Sequence, residues 1–263
     1  MSTAAIAIAI PSVHSLRPVL VHPGARVASI PRVPTTCSSC GLRELCLPCG
    51  LVKDDLTRMD DLVYSRRRVK RGEHLYRAGD TFHALYAFRT GFFKSYVETA
   101  EGRSHVTGFQ MPGDVVGLDG IEDGTHSLDV VALEDGEVCV IPYDELEALA
   151  IRVPALQKHL HRMMSREIVR EQGQMMLLGT MRAESRVAAF LLALAQRFAS
   201  RGYSSSEFNL RMTREEIGSY LGLKLETVSR IFSRFQERNL ISAQNRHVKI
   251  LDGVALKLVA TEA

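Results

Sequence analysis

From His74 to Pro142 the chain reads as short apolar-rich runs cut by turn residues. HLYRAG, ALYAFRTG, FFKSYVET, HVTGFQM, VVALEDG and EVCVIP follow one another between Gly, Asp and Pro signals. Many short strands at regular spacing predict an antiparallel β-sandwich or β-roll. At Pro154, a residue suited to the first position of a helix, the apolar period changes. Leu160, Met164, Ile168, Met175 and Leu178 recur at spacings of 4, 4, 7 and 3, with Glu171 inside the same stripe. A helix of about 25 residues reaches ~37 Å. Its near-heptad stripe predicts a seam against a second copy of the chain; the plainer alternative is a helix covering its own domain. Residues 183–200, AESRVAAFLLALAQRFAS, predict another helix, ended by Gly202.

The segment MTREEIGSYLGLKLETVSRIFSRFQERNLI carries a more specific pattern. Thr213 and Glu216 have the spacing of a capping box, which opens a short helix over 214–220. Leu221–Leu223 makes a tight turn in which Gly222 is free to take a positive φ. A second helix is predicted from Lys224 to Glu237, with Ile217, Leu221, Leu223, Val228 and Ile231 filling the angle between the two. This is a helix-turn-helix. The second helix is polar along one face, where Glu226, Ser229 and Arg230 stand at i, i+3 and i+4. A carboxylate accepts from the cytosine N4 amine, and an arginine reaches guanine O6 and N7 together. Residues 210–249 hold eight basic side chains against four acidic ones, the footprint of a phosphate-binding surface. ISAQNRHVKIL then reads as two short strands, a wing.

Composition narrows the function class without choosing it. The 263 residues are 46% hydrophobic and 24% charged with a net charge of +3, ordinary for about two globular domains. No apolar run is long enough to cross a bilayer, so no membrane partner is expected. Residues 1–36 contain five of the nine prolines, three arginines, no lysine and no acid; they read as a flexible tail. No positive residue precedes Arg17, so the charged start of a secretory signal is missing, and a cytoplasmic, reducing location is expected. There, clustered cysteines are metal ligands or redox groups more often than disulfides. Four of the five cysteines, Cys37, Cys40, Cys46 and Cys49, fall within TCSSCGLRELCLPCGL, and the fifth is Cys139. No Gly-rich nucleotide loop and no Ser/His/Asp set points to an enzyme.

The order of β-roll, long helix and winged helix-turn-helix resembles the CRP/FNR transcription regulators. MPGDVVGLDGI, CVIPYDELEAL, RFASRGYS and the helix-turn-helix segment are similar to the oxygen-sensing FNR branch, over about 37–255. The resemblance implies a 4Fe–4S cluster held by Cys37, Cys40 and Cys46, spaced C-x2-C-x5-C, and by Cys139 from the β-roll. Cys49 is then the spare thiol. A self-contained site of the four loop cysteines, a zinc site and a thiol–disulfide switch stay open as alternatives. Members that bind cyclic nucleotides carry a Glu and an Arg where this chain has Leu118 and His126, so no cyclic nucleotide is expected, and His126 reads as a surface imidazole. Leu225 stands where cyclic-AMP-type members have Arg, which implies TTGAT rather than TGTGA half-sites. RNA polymerase is implied as a partner, with the hairpin Thr99–Arg103 a candidate contact.

The expected protein is thus an α+β transcription regulator and not an enzyme. Residues 1–36 form a tail, 37–152 a cysteine loop plus β-roll sensor domain, 153–180 a dimerisation helix and 181–263 a winged helix-turn-helix that reads double-stranded DNA as a homodimer. Glu171 in the seam sets like charges against each other across the dimer axis, so pairing is marginal without the cluster. Oxygen, by removing the cluster, would release the dimer and its DNA.

Overall fold

The computed structural model describes residues 36–62, 65–99 and 102–262. The tail expected over 1–36 lies outside them except for Thr36, as do Ala100 and Glu101 of the hairpin named as a polymerase contact.

The β-roll is two four-stranded antiparallel sheets. One has the order β1 (Ser65–Val69), β8 (Gly136–Pro142), β3 (Ala84–Thr90), β6 (Val115–Val116). The other has the order β2 (His74–Tyr76), β7 (Asp129–Ala132), β4 (Phe93–Glu98), β5 (Ser104–Gln110). Inward-facing residues such as Val69, Leu75, Phe88, Phe93, Val130 and Val138 fill the space between them. All six strand runs expected from the sequence are present. β1 was missed because SRRRV looks like a solvated charge run. In the fold it is an edge strand in which Arg66 pairs with Glu137, and Arg67 donates to the Leu75 and His74 carbonyls at 2.7 and 3.0 Å.

Around the roll lie α1 (Lys53–Leu62) and α2 (Tyr143–Arg152), which the sequence reading did not place. Leu56, Met59 and Leu62 of α1 pack with Leu146, Leu149 and the fully buried Leu47 of the cysteine loop into one apolar cluster. The long helix α3 (Pro154–Thr180) has 27 residues, with Pro154 at its start and Gly173 inside it without a break. It is followed by α4 (Ala183–Ala199).

The C-terminal unit contains α5 (Arg214–Leu221) and α6 (Leu225–Glu237). Its sheet has the order β10 (Ile241–Gln244), β11 (His247–Ile250), β9 (Glu207–Asn209), and α7 (Gly253–Thr261) closes it. The capping box is formed: Thr213 Oγ1 accepts the Glu216 N–H at 3.1 Å, and Glu216 Oε2 accepts the Thr213 N–H at 2.7 Å. Gly222 ends α5 with a φ of 63°, the left-handed conformation the turn requires. The unit is seated on the sensor sheet. Lys94 Nζ donates to Glu216 Oε1 at 2.8 Å, Ser219 Oγ accepts the Val106 N–H at 2.9 Å, and Phe109 meets Tyr220 with ring centres 5.3 Å apart.

Candidate functional site

Two surfaces and one cavity account for the residues singled out by sequence. The cavity lies between the cysteine loop and the outer face of β3 and β8. Cys37, Cys40, Cys46 and Cys139 all line it, with Ala87, Arg89, Met59 and Leu47, whereas Cys49 does not. The loop is a succession of tight turns, with N–H donors of Cys40, Arg43 and Cys49 bonded to the carbonyls of Cys37, Cys40 and Cys46. These turns bring the thiols of Cys37, Cys40 and Cys46 to one side. Leu47, wholly buried, pins the loop to the core, and Ser38 ties it to α1 through Asp60, at 3.0 Å from its N–H and 2.5 Å from its hydroxyl. Cys139 arrives from the central strand β8, paired to Arg66 on β1 and Ala87 on β3.

All five cysteines are free thiols. Burial pushes the Cys37 thiol up to about 12, and Cys139, Asp60 and Cys40 add to the effect. Burial also raises Cys46 and Cys139, and Cys37, Cys139 and Cys40 bear on Cys46. Ligation of a metal group there would release protons, since thiolate is the ligand form. Among the described residues, no three His, Cys, Asp or Glu side chains converge closely enough for a single metal ion. Four thiols around one cavity are the donor set that a four-thiolate iron–sulfur cluster takes.

The loop also touches α3. His159 is 6% exposed, its ring lies beside the Cys46 main chain, and its Nε2 has no partner among the described residues. Leu160 and Met163 pack against the same apolar cluster as Cys37 and Leu47. Burial and the nearby Arg166 and Arg162 lower the His159 pKa. The sequence reading missed this histidine; its signal was an imidazole on the apolar side of an amphipathic helix.

Along α3, the expected stripe divides. Leu160 and Met164 are half-buried on their own chain, and so is Leu178 at the far end, which approaches Gly222 of the turn. Between them Ile168 and Met175 are 55% and 65% exposed, and Glu171 is exposed. Val169 and Met176, 63% and 69% exposed, repeat seven residues apart beside them. The apolar strip is thus two residues wide at its centre. The four-spaced count followed only one edge of it.

On α6, Val228, Ile231, Phe232 and Phe235 face inward, while Leu225, Glu226, Ser229 and Arg230 are exposed. Neither Glu226 nor Arg230 has a partner among the described residues, so both side chains are available to a base edge. The basic surround is less free than its count implies. Arg211 pairs with Glu134 at 3.3 Å, Arg234 and Arg238 share Glu184, and Lys249 reaches Glu207 at 3.7 Å. Arg214 lies over the Phe232 ring at 3.2 Å. Exposed pairs of this kind are worth little, and a phosphate can displace the carboxylate. The wing turn holds Asn245 at a φ of 53°, next to the exposed Arg246.

One expectation is corrected. His126 is not a surface imidazole: its side chain is 1% exposed, stacked on Tyr76 at 3.7 Å between ring centres, with Nδ1 3.4 Å from Asp119. Tyr76 comes from a distant strand, so periodicity around His126 carried no sign of it. Asp119 Oδ2 accepts the N–H groups of Ser127 and Leu128 at 2.9 and 3.2 Å. Burial opposes its ionisation, yet His126 and these two N–H donors together hold its pKa below the usual value.

Comparison with known proteins agrees with this architecture. Residues 66–152 match the cyclic nucleotide-binding domain family and residues 185–259 the Crp-like helix-turn-helix domain. The chain is 48% identical over 221 residues to the transcriptional regulatory protein btr of Bordetella pertussis, covering 84% of this chain and 91% of that one. It is 44% identical over 224 residues to the transcriptional activator protein Anr of Pseudomonas protegens, covering 85% and 92%. To the fumarate and nitrate reduction regulatory protein of Yersinia pestis it is 41% identical over 224 residues, covering 85% and 90%. Among solved structures, FixK2 of Bradyrhizobium japonicum superposes with a TM-score of 0.69 at 30% identity, over 76% of this chain and 98% of that one. The chain belongs to the CRP/FNR family of transcription regulators, with relatives of the FNR and Anr type, and is a DNA-binding regulator rather than an enzyme.

Proposed function

We propose that this regulator senses oxygen through a 4Fe–4S cluster ligated by Cys37, Cys40, Cys46 and Cys139. The cluster promotes homodimerisation in the cytoplasm and binding to palindromic sites of TTGAT half-sites without oxygen; its loss in air switches the protein off. The observation that carries this reading is the cavity that gathers these four cysteines and leaves Cys49 out. The names of the Anr and fumarate and nitrate reduction relatives point the same way. A cluster ligated by Cys46 fixes the loop beside His159, Leu160 and Met163, the first turns of α3. The exposed strip of Ile168, Val169, Met175 and Met176 lies further along that helix and is the proposed dimer seam, with Leu160, Met164, Glu171 and Leu178 continuing it. A dimer alone spans two half-sites one DNA turn apart, so DNA affinity follows dimerisation. Cyclic nucleotide control does not fit this chain: a cyclic phosphate approaching Ser127 would meet the Asp119 carboxylate, already bonded to the main-chain donors there.

Two expected outcomes test the parts of the switch. Glu171→Ala removes the like charges facing each other across the seam, and the dimer fraction in air should rise in sedimentation; an unchanged oligomeric state sinks the role given to Glu171. On DNA, Arg230→Ala should cost ~1–3 kcal/mol on the consensus site and relax the choice of base at the G position. A uniform loss across all sequences would make Arg230 a phosphate contact instead. RNA polymerase is the further proposed partner.

A further inference from the structure

Cys139 lies in a charged patch that none of the ligand assignments uses. Residues directly opposite each other on neighbouring strands project to the same face, so Arg66, Cys139 and Ala87 share the outer face of the sheet. Glu137, two residues before Cys139 on β8, shares that face by the period of the strand, and Arg89, at the irregularity of β3 between Phe88 and Thr90, reaches it. Glu137 holds both arginines: Oε2 is 3.7 Å from Arg66 Nη1 and 3.5 Å from Arg89 Nε. Arg89 lines the cysteine cavity itself. The Arg66 side chain is only 17% exposed, and its Nε is buried without a hydrogen-bond partner among the described residues. An unsatisfied buried donor on a cation is costly, and one carboxylate shared between two guanidiniums leaves the patch a net positive charge. Both features make sense if the missing acceptor is anionic and is not part of the polypeptide. A four-thiolate iron–sulfur cluster is such an acceptor, and hydrogen bonds to its sulfurs are among the factors that set its potential.

Resting on the cluster assignment above, we propose that Arg66, opposite Cys139 on β1 and held with Arg89 by Glu137, is a tuning residue whose charge acts on the iron–sulfur group at the Cys139 corner. Arg66 is not a ligand. It offsets the negative charge of the ligated cluster and stabilises the more reduced form, and Glu137 acts in the opposite sense.

The test is potentiometric titration of the full-length protein purified anaerobically, with iron and sulfide content measured on each sample. Arg66→Gln should retain its iron and show a lower midpoint potential, by roughly tenfold in the reduction equilibrium, or ~59 mV for a one-electron couple. Arg66→Lys should recover part of the shift. Glu137→Gln should move the potential upward. Opposite signs from two neighbouring substitutions are not produced by general loosening of the fold. A fully loaded Arg66→Gln protein with an unchanged potential overturns the proposal. If Arg66→Gln does not load, Glu137→Gln decides, and no upward shift there overturns it. A wild-type protein that holds no iron is a different result, and it removes the cluster assignment itself.

Discussion

Replacing Cys139 by alanine is expected to give a folded, colourless protein that no longer dimerises when oxygen is removed. Cys139 sits on the central strand of its sheet between β1 and β3, half-buried, and the change removes one sulfur without disturbing a main-chain bond. The strand keeps its register, so circular dichroism and the melting transition should change little. A 4Fe–4S cluster with cysteine ligation takes four thiolates, so iron and sulfide per chain should fall to near zero. The matched control is Cys49→Ala, which removes a thiol outside the cavity and should leave iron content and dimerisation intact. Reversal of the two results, with iron lost on removing Cys49 and kept on removing Cys139, would mean that the loop holds a group by itself and that β8 takes no part.

The second large effect is expected on α3. Ile168→Glu places a carboxylate in the centre of the exposed apolar strip, beside Val169 and one turn from Glu171. In the monomer the side chain meets solvent, so folding should be unaffected. In a dimer it would be buried against its own symmetry mate and add to the Glu171 charges. Central interface residues of this kind are worth about 2 kcal/mol or more, so the dimer dissociation constant should rise by roughly thirtyfold or more. Cluster content should stay normal, because Ile168 lies away from the cysteine cavity. A brown, iron-loaded monomer with little affinity for a palindromic site is the predicted species. A brown dimer of unaltered affinity would show that the copies meet through some other surface.

What could be read in the chain beforehand was what is encoded locally. The capping box Thr213–Glu216, the left-handed Gly222 and the inward set Ile217, Leu221, Val228 and Ile231 are all neighbours in sequence, and the structure forms each as expected. The six main strands carried apolar runs with turn residues between them. Elements that draw their stability from distant partners were not read. β1 is polar in composition and becomes a strand by pairing with β8, some seventy residues on. β6 has two residues and exists by pairing with β3. β9 pairs with β11 across the whole helix-turn-helix. In contrast, α1 and α7 were legible but unread: Leu56, Met59 and Leu62 recur at helical spacing, and Asp252 caps α7 by accepting the N–H groups of Val254 and Ala255.

The cysteine site divides in the same way. The spacing of Cys37, Cys40 and Cys46 is a local pattern, but spacing could not choose between Cys49 and Cys139 as the fourth thiol. The family resemblance pointed to Cys139, and the cavity, which no periodicity reveals, brings that thiol to the other three. The supporting residues were further out of reach. Arg66 is one of a run of arginines, and nothing in that run marks it until its register with Cys139 is known. His159 owes its meaning to a loop more than a hundred residues earlier in the chain. His126 was misjudged because Tyr76, on which it stacks, lies fifty residues away.

On this reading the four thiols around one cavity hold a labile iron–sulfur cluster. The most direct measurement is the visible absorption spectrum of protein purified without oxygen, followed after air is admitted. A brown protein with a broad band near ~400 nm that bleaches or shifts within the course of air exposure is the predicted result. A colourless protein, with stoichiometric zinc or no metal, would contradict it. That result would leave a CRP/FNR regulator whose cysteines respond to something other than oxygen at an iron–sulfur cluster.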